Sequence, residues 1–218
     1  MKPNEERARA AMIMIWAVIA MELLVMVSNY LQYDLLLHFS QGDEYTTEQL
    51  ENNDLRVKLV TIIYGIFFFM SAVTFIMWFR RAYFNLHQCT SYLYFKEGWA
   101  VAAWFVPIVN LFRPFTIMKE LFEVSARLLN KAALQPKHFP VFYLSTWWIL
   151  WLIDNAMIQI LNRVVPAVDE VDVLAHESLF YMGQSAISIV SGLLLIKIIK
   201  TYNAREIILS KMQFAAVN

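Results

Sequence analysis

Trp99 to Phe112 reads WAVAAWFVPIVNLF, and whether this apolar stretch crosses a membrane decides the fold. Fourteen helical residues would cover about 21 Å at ~1.5 Å per residue, short of a hydrocarbon core of about 30 Å. Pro107 stands in the middle of the run. It lacks a backbone donor and its ring crowds the preceding turn, a costly combination in lipid unless a neighbouring element re-satisfies the freed carbonyl. The stretch is therefore read as a re-entrant or interfacial element, with a full span as the alternative.

On either side of it lie longer apolar runs: 10–37, interrupted by Glu22 and Asp34; 57–79; 140–162, interrupted by Asp154; and 178–199. Each meets or approaches the roughly 17 to 25 residues that a spanning helix requires. The whole chain is 59% apolar and 15% aromatic over 218 residues, with a mean hydropathy of +0.48. That is too apolar for an ordinary soluble domain. The expected fold is an all-α membrane protein, a single domain of four transmembrane helices in a bundle, with a cytoplasmic re-entrant or interfacial amphipathic segment over 80–138. The first run is longer than a signal-peptide core and no small-residue cleavage pattern follows it, so it is read as a retained anchor.

Charge gives the orientation. Lys and Arg near short loops mark the cytoplasmic side. Three precede the first run, eight lie from Arg80 to Lys137 and four from Lys197 onward; only Arg56, Lys58 and Arg163 fall elsewhere. The two other loops carry Asp43, Glu44, Glu48, Glu51 and Asp54, and Asp169, Glu170, Asp172 and Glu177. Both termini are thus expected in the cytoplasm and both acidic loops outside. A spanning 99–112 would invert the second half against this bias. The single Cys89 forms no intramolecular disulfide and suits a reducing compartment.

Between the second and third runs, Arg80 and Arg81 are read as ending the second helix at headgroup level. Tyr83, Phe84, Tyr92, Tyr94, Phe95 and Trp99 follow, as amphipathic rings do at that depth. Further on, Phe115, Met118, Leu121, Phe122, Ser125, Leu128 and Leu129 share one helical face, opposite Lys119, Glu123, Arg127 and Lys131. Glu123 and Arg127 are spaced for an i,i+4 pair. Two amphipathic helices lying on the cytoplasmic surface are expected, flanking 99–112.

The string Arg81-Ala82-Tyr83-x-Asn85-Leu86 opens a longer pattern. It continues as Gly98-Trp99-Ala100-Val101-x-x-Trp104-Phe105-Val106-Pro107-Ile108-x-Asn110-Leu111-Phe112-x-Pro114 and Met118-x-Glu120-Leu121, with Trp147-Trp148 later. From about Val57 to Lys200 the chain resembles the bacterial membrane family known as domain of unknown function 4328. The resemblance implies a multi-pass protein of the bacterial cytoplasmic (inner) membrane without an assigned activity. Relatives fused to kinase or small zinc-binding modules imply regulation or signalling, and no such module is read in this chain.

Two sets of residues are candidates for function. Glu22 and Asp154 fall near the membrane midplane, where carboxylates are costly and mark functional sites by default. Asn29 and Tyr33 continue the Glu22 stripe; Asn155, Gln159 and Asn162 continue that of Asp154; Gln184, Ser188 and Ser191 lie along the fourth helix. Together they form either a polar pathway or interhelical hydrogen-bonding glue. The second set is the interfacial motif: Arg81, Tyr83, Asn85, Trp99, Trp104, Pro107, Asn110, Arg113, Pro114 and Glu120. Arg113 is read as a lipid-phosphate contact or a snorkelling anchor, and Pro107 and Asn110 as bending and capping the element.

No nucleotide-binding loop, zinc-protease helix, paired-cysteine motif or nucleophile elbow is present, and His38, His87, His138 and His176 lack metal-ligand spacing. No enzyme activity, cofactor or metal is expected, and no nucleic-acid partner. The leading expectation is a membrane-embedded interaction or sensing component whose platform meets membrane lipids or a cytoplasmic protein. The alternative is a homo-oligomeric pore or ion pathway, a channel that in one form perturbs membranes as an effector.

Overall fold

A computed structural model describes residues 1–42, 44, 46–134, 139–164 and 171–215. Asp43, Lys137, His138, Asp169 and Glu170, and the side chains of Asn162 and Asp172, lie outside the described residues. Six α-helices follow in order: α1 Glu5–Ser40, α2 Thr47–Cys89, α3 Trp99–Ala102, α4 Arg113–Lys131, α5 Val141–Val164 and α6 Val171–Ala215, with a 3-10 turn at Val109–Leu111. No strand occurs among the described residues.

The helices α1, α2, α5 and α6 are each long and apolar enough to cross a membrane. Their lipid-facing character is visible in what they leave uncovered. Leu23, Leu24, Val27, Ile62, Ile66 and Phe69 are all exposed, Phe69 by 70%. Continuous aliphatic and aromatic surface of this kind is not left in water by a soluble fold. Trp99 to Phe112 is no spanning helix: it forms the single turn of α3, irregular turns and the 3-10 turn. Ile108 adopts φ 66, a left-handed conformation that a β-branched side chain resists. α3 has already ended at Ala102, and this left-handed residue follows Pro107 further on.

Two expectations need correction. Arg80 and Arg81 do not end α2, which continues to Cys89; Tyr83, Leu86 and Asn85 are buried on that extension, and burial of one face holds a helix past its charges. Residues 90–98 are then irregular, so the segment contains one amphipathic helix, α4, and not two. The apolar face of α4 packs into the protein itself: Ile117, Met118, Leu121 and Leu129 are fully buried. On its polar face Glu123 pairs with Lys119 at 3.6 Å.

The chain forms two compact units. The first comprises Met1–Met14, Ser71–Trp148 and Leu193–Asn218; the second comprises Ile15–Met70 and Ile149–Gly192. The first is an aromatic-rich core in which Phe75, Trp78, Phe79, Trp104, Trp147 and Tyr202 interlock at ring separations of 5.5 to 6.4 Å, distances at which edge-to-face rings attract. In the second, a Cβ placed on Gly192 would stand 3.1 Å from the Ile19 side chain. A small residue there lets α6 approach α1 closely, as membrane helices do where they pack.

Candidate functional site

In the first unit the motif residues converge on two buried carboxylates. Glu120, on α4, accepts a hydrogen bond from the Tyr83 hydroxyl at 2.6 Å and from the Tyr94 backbone N–H at 2.7 Å. The Tyr83 hydroxyl also lies 3.0 Å from the Phe95 carbonyl oxygen. One side chain thus ties α4 to α2 and to the irregular stretch before α3. Glu206, on α6, accepts from Asn85 Nδ2 at 2.6 Å and from Asn4 Nδ2 at 2.9 Å. Asn85 in turn exchanges two hydrogen bonds of 2.8 Å with the backbone of Lys2. A buried carboxylate is tolerable only when its oxygens are engaged in this way.

The rest of the motif is aromatic and steric. The Arg113 guanidinium lies 3.9 Å from the Trp99 ring centroid and 5.0 Å from that of Phe95, so its planar face is used in cation–π stacking. Trp104 packs edge-on against Phe75 and Phe79. Trp148 donates from Nε1 to the Leu111 carbonyl at 3.1 Å, fixing the end of the kinked stretch. Pro114 is buried in the first turn of α4, where its missing donor costs nothing. Pro107 is exposed, Asn110 is half-buried with its backbone N–H on Val106, and Arg81 stands beside Phe84.

The second unit holds the other set. Glu22 is buried and accepts from the Tyr64 hydroxyl at 2.8 Å, and Tyr64 is also hydrogen-bonded to Ser188. Asp154 is hydrogen-bonded to Gln184, while its Oδ1 is buried without a partner. A cleft of about 380 Å³ opens along Glu22, Asn29, Tyr64, Glu177, Tyr181 and Gln184. Asp154, Asn155, Gln159 and Ser188 do not line it. Asn155 donates back to the Trp151 carbonyl of its own helix at 2.7 Å, and Gln159 is exposed. Histidines are dispersed: His87 packs on the Tyr83 ring and His38 lies 3.9 Å from Asp34.

The pattern of the family described as domain of unknown function (DUF4328) matches residues 42–204. The chain belongs to this family. Neither a curated protein nor a solved structure matches it. The DUF4328 region takes in the whole of the Glu120 site but stops short of Asn4, Lys2 and Glu206, so the second carboxylate cluster is built largely from outside it. Sequence reasoning missed Asn4, Tyr64, Glu206 and Arg205, whose Nη1 donates to the Phe122 carbonyl at 3.0 Å. Tyr64 alone left a trace, as a polar group within an apolar run; the others have partners far away in sequence.

Proposed function

We propose that this DUF4328 protein is a multi-pass component of the bacterial cytoplasmic membrane with both termini inside, acting in interaction or sensing through a platform on the cytoplasmic face. Apolar side chains standing out from a rigid frame carry this reading: Tyr92, Phe105 and Ile108 are 89%, 70% and 74% exposed. The frame beneath them is pinned through Glu120 and Trp148. Large rings beside basic residues suit the headgroup boundary, where one end is apolar and the other wet. The occupant is the membrane lipid itself; no catalytic step or cofactor is assigned.

Spin labels at positions 92, 105 and 108, in a Cys89→Ser background in lipid nanodiscs, test this. Relaxation by oxygen is expected to exceed relaxation by a water-soluble nickel reagent at 105 and 108. Dominance of the aqueous reagent at all three positions would remove the platform.

A second reading rests on the Glu22 cleft. Two acidic side chains, Glu22 and Glu177, line it together with Tyr64, Asn29 and Gln184, which supports a proton or cation pathway in a homo-oligomer. Flux of protons and potassium in liposomes, compared with Glu22→Gln, decides it: flux no greater than in empty liposomes ends that reading.

A further inference from the structure

We propose that the cleft between Lys2, Arg7, Arg80 and Arg81 binds a phosphate monoester group. The cleft measures about 170 Å³ and is completed by Phe84 and Glu97. Four cations therefore face one carboxylate, an excess of three positive charges. Pockets for drug-sized ligands run to about 300–1,000 Å³, so this one is scaled for a single small anion. It is separate from the 99–112 stretch, no residue of which lines it.

The charges are held together against their repulsion. Arg7 shares the cleft with Arg80 and Arg81, and like charges gathered in one cleft are costly unless something compensates. Glu97 reaches only Arg80, at 3.7 Å and with both groups partly exposed, a pairing of little strength. Glu206 attracts Arg81, but its two oxygens are engaged by Asn4 and Asn85. Three of the four cations are nevertheless tethered. Lys2 is clasped by Asn85 through its backbone, Arg7 Nη1 donates to the Met77 carbonyl at 3.2 Å, and Lys2 and Arg81 both lie over the Phe84 ring. Cations tethered around one cleft recognise an anion at a lower ordering cost than free side chains would.

The chemistry selects the monoester. Such a phosphate carries about −1.5 to −2 charge near neutral pH and three strong acceptor oxygens, which several donors can share. A phosphodiester headgroup offers one charge and fewer free oxygens. The group can reach the cleft from the membrane, as phosphatidic acid, or from solution, as phosphate or a phosphorylated small molecule.

The full chain in phosphatidylcholine nanodiscs, titrated with inorganic phosphate by calorimetry, tests the second source. Nanodiscs containing equal fractions of phosphatidic acid or phosphatidylserine, with retained lipid measured by native mass spectrometry, test the first. Supporting results are phosphate binding, or retention of phosphatidic acid over phosphatidylserine, weakened at least tenfold in Arg7→Gln and Arg81→Gln and strengthened in Glu97→Gln. Response in only one arm identifies the source. Should Arg81→Gln fail to fold, Lys2→Gln changes only an exposed side chain and carries the same expectation. No phosphate binding together with equal retention of both anionic lipids overturns the proposal. So does binding that is unchanged in every charge variant.

Discussion

Asn85 and Glu206 are 121 positions apart in sequence and joined by a hydrogen bond of 2.6 Å. Both oxygens of Glu206 accept from amide nitrogens, one from Asn85 and the other from Asn4. A glutamine at 206 has only one acceptor oxygen and would turn its own N–H₂ toward one of the two donors. Glu206→Gln is therefore expected to lower stability by about 1–3 kcal/mol, the cost of an unsatisfied buried polar group. Thermal unfolding in detergent measures it, and a stability equal to the parent protein would show that the cluster is not closed as described.

Tyr83→Phe removes one hydroxyl and keeps the ring. Glu120 Oε2 then loses its donor at 2.6 Å, so a loss of about 1–2 kcal/mol is expected. Faster hydrogen exchange should accompany it in residues 92–98, because Tyr94 and Phe95 are held through the same carboxylate and hydroxyl. Exchange unchanged over that stretch would count against Glu120 as its anchor.

Gly192→Val places a branched side chain where even a Cβ stands 3.1 Å from Ile19. Overpacking of this kind costs about 1–3 kcal/mol. Ile19→Ala, combined with it, is expected to restore part of the loss, since space is returned at the same spot. Additive losses in the double variant would mean that the two side chains do not meet.

Topology can be read with single cysteines in a Cys89→Ser background. A residue at Glu48 is expected to react with an impermeant maleimide added to intact cells, and one at Lys131 only after lysis. Both positions are exposed, so access to the reagent and not burial sets the outcome. Reaction at 131 from outside would reverse the orientation drawn from the basic residues.

The four spans were legible because a membrane converts helix length into a count of apolar residues. That 99–112 is no regular spanning helix was legible for a related reason, since the run is short and Pro107 makes its continuation as helix costly in lipid. The end of α2 was not. Arg80 and Arg81 look like a boundary, yet Tyr83, Asn85 and Leu86 beyond them are buried, and it is contacts distant in sequence that prolong the helix. The amphipathic face of α4 was visible, but periodicity does not say whether that face meets lipid or protein. Here it meets Tyr202, whose ring lies 5.7 Å from that of Phe122. Of the polar stripes, Glu22, Asn29 and Gln184 line the cleft, and Asp154 and Ser188 do not. Spacing could not foresee that Asn155 would bond its own helix.

Glu206 is also a matter of timing. A chain leaves the ribosome from its first residue onward, so Asn4, Lys2 and Asn85 are made long before the carboxylate that gathers them. Until α6 is in place, the Nδ2 groups of Asn4 and Asn85 lack the carboxylate that both bond. Completion of α6 thus brings the Glu206 carboxylate to Asn4 and Asn85, residues made well before it.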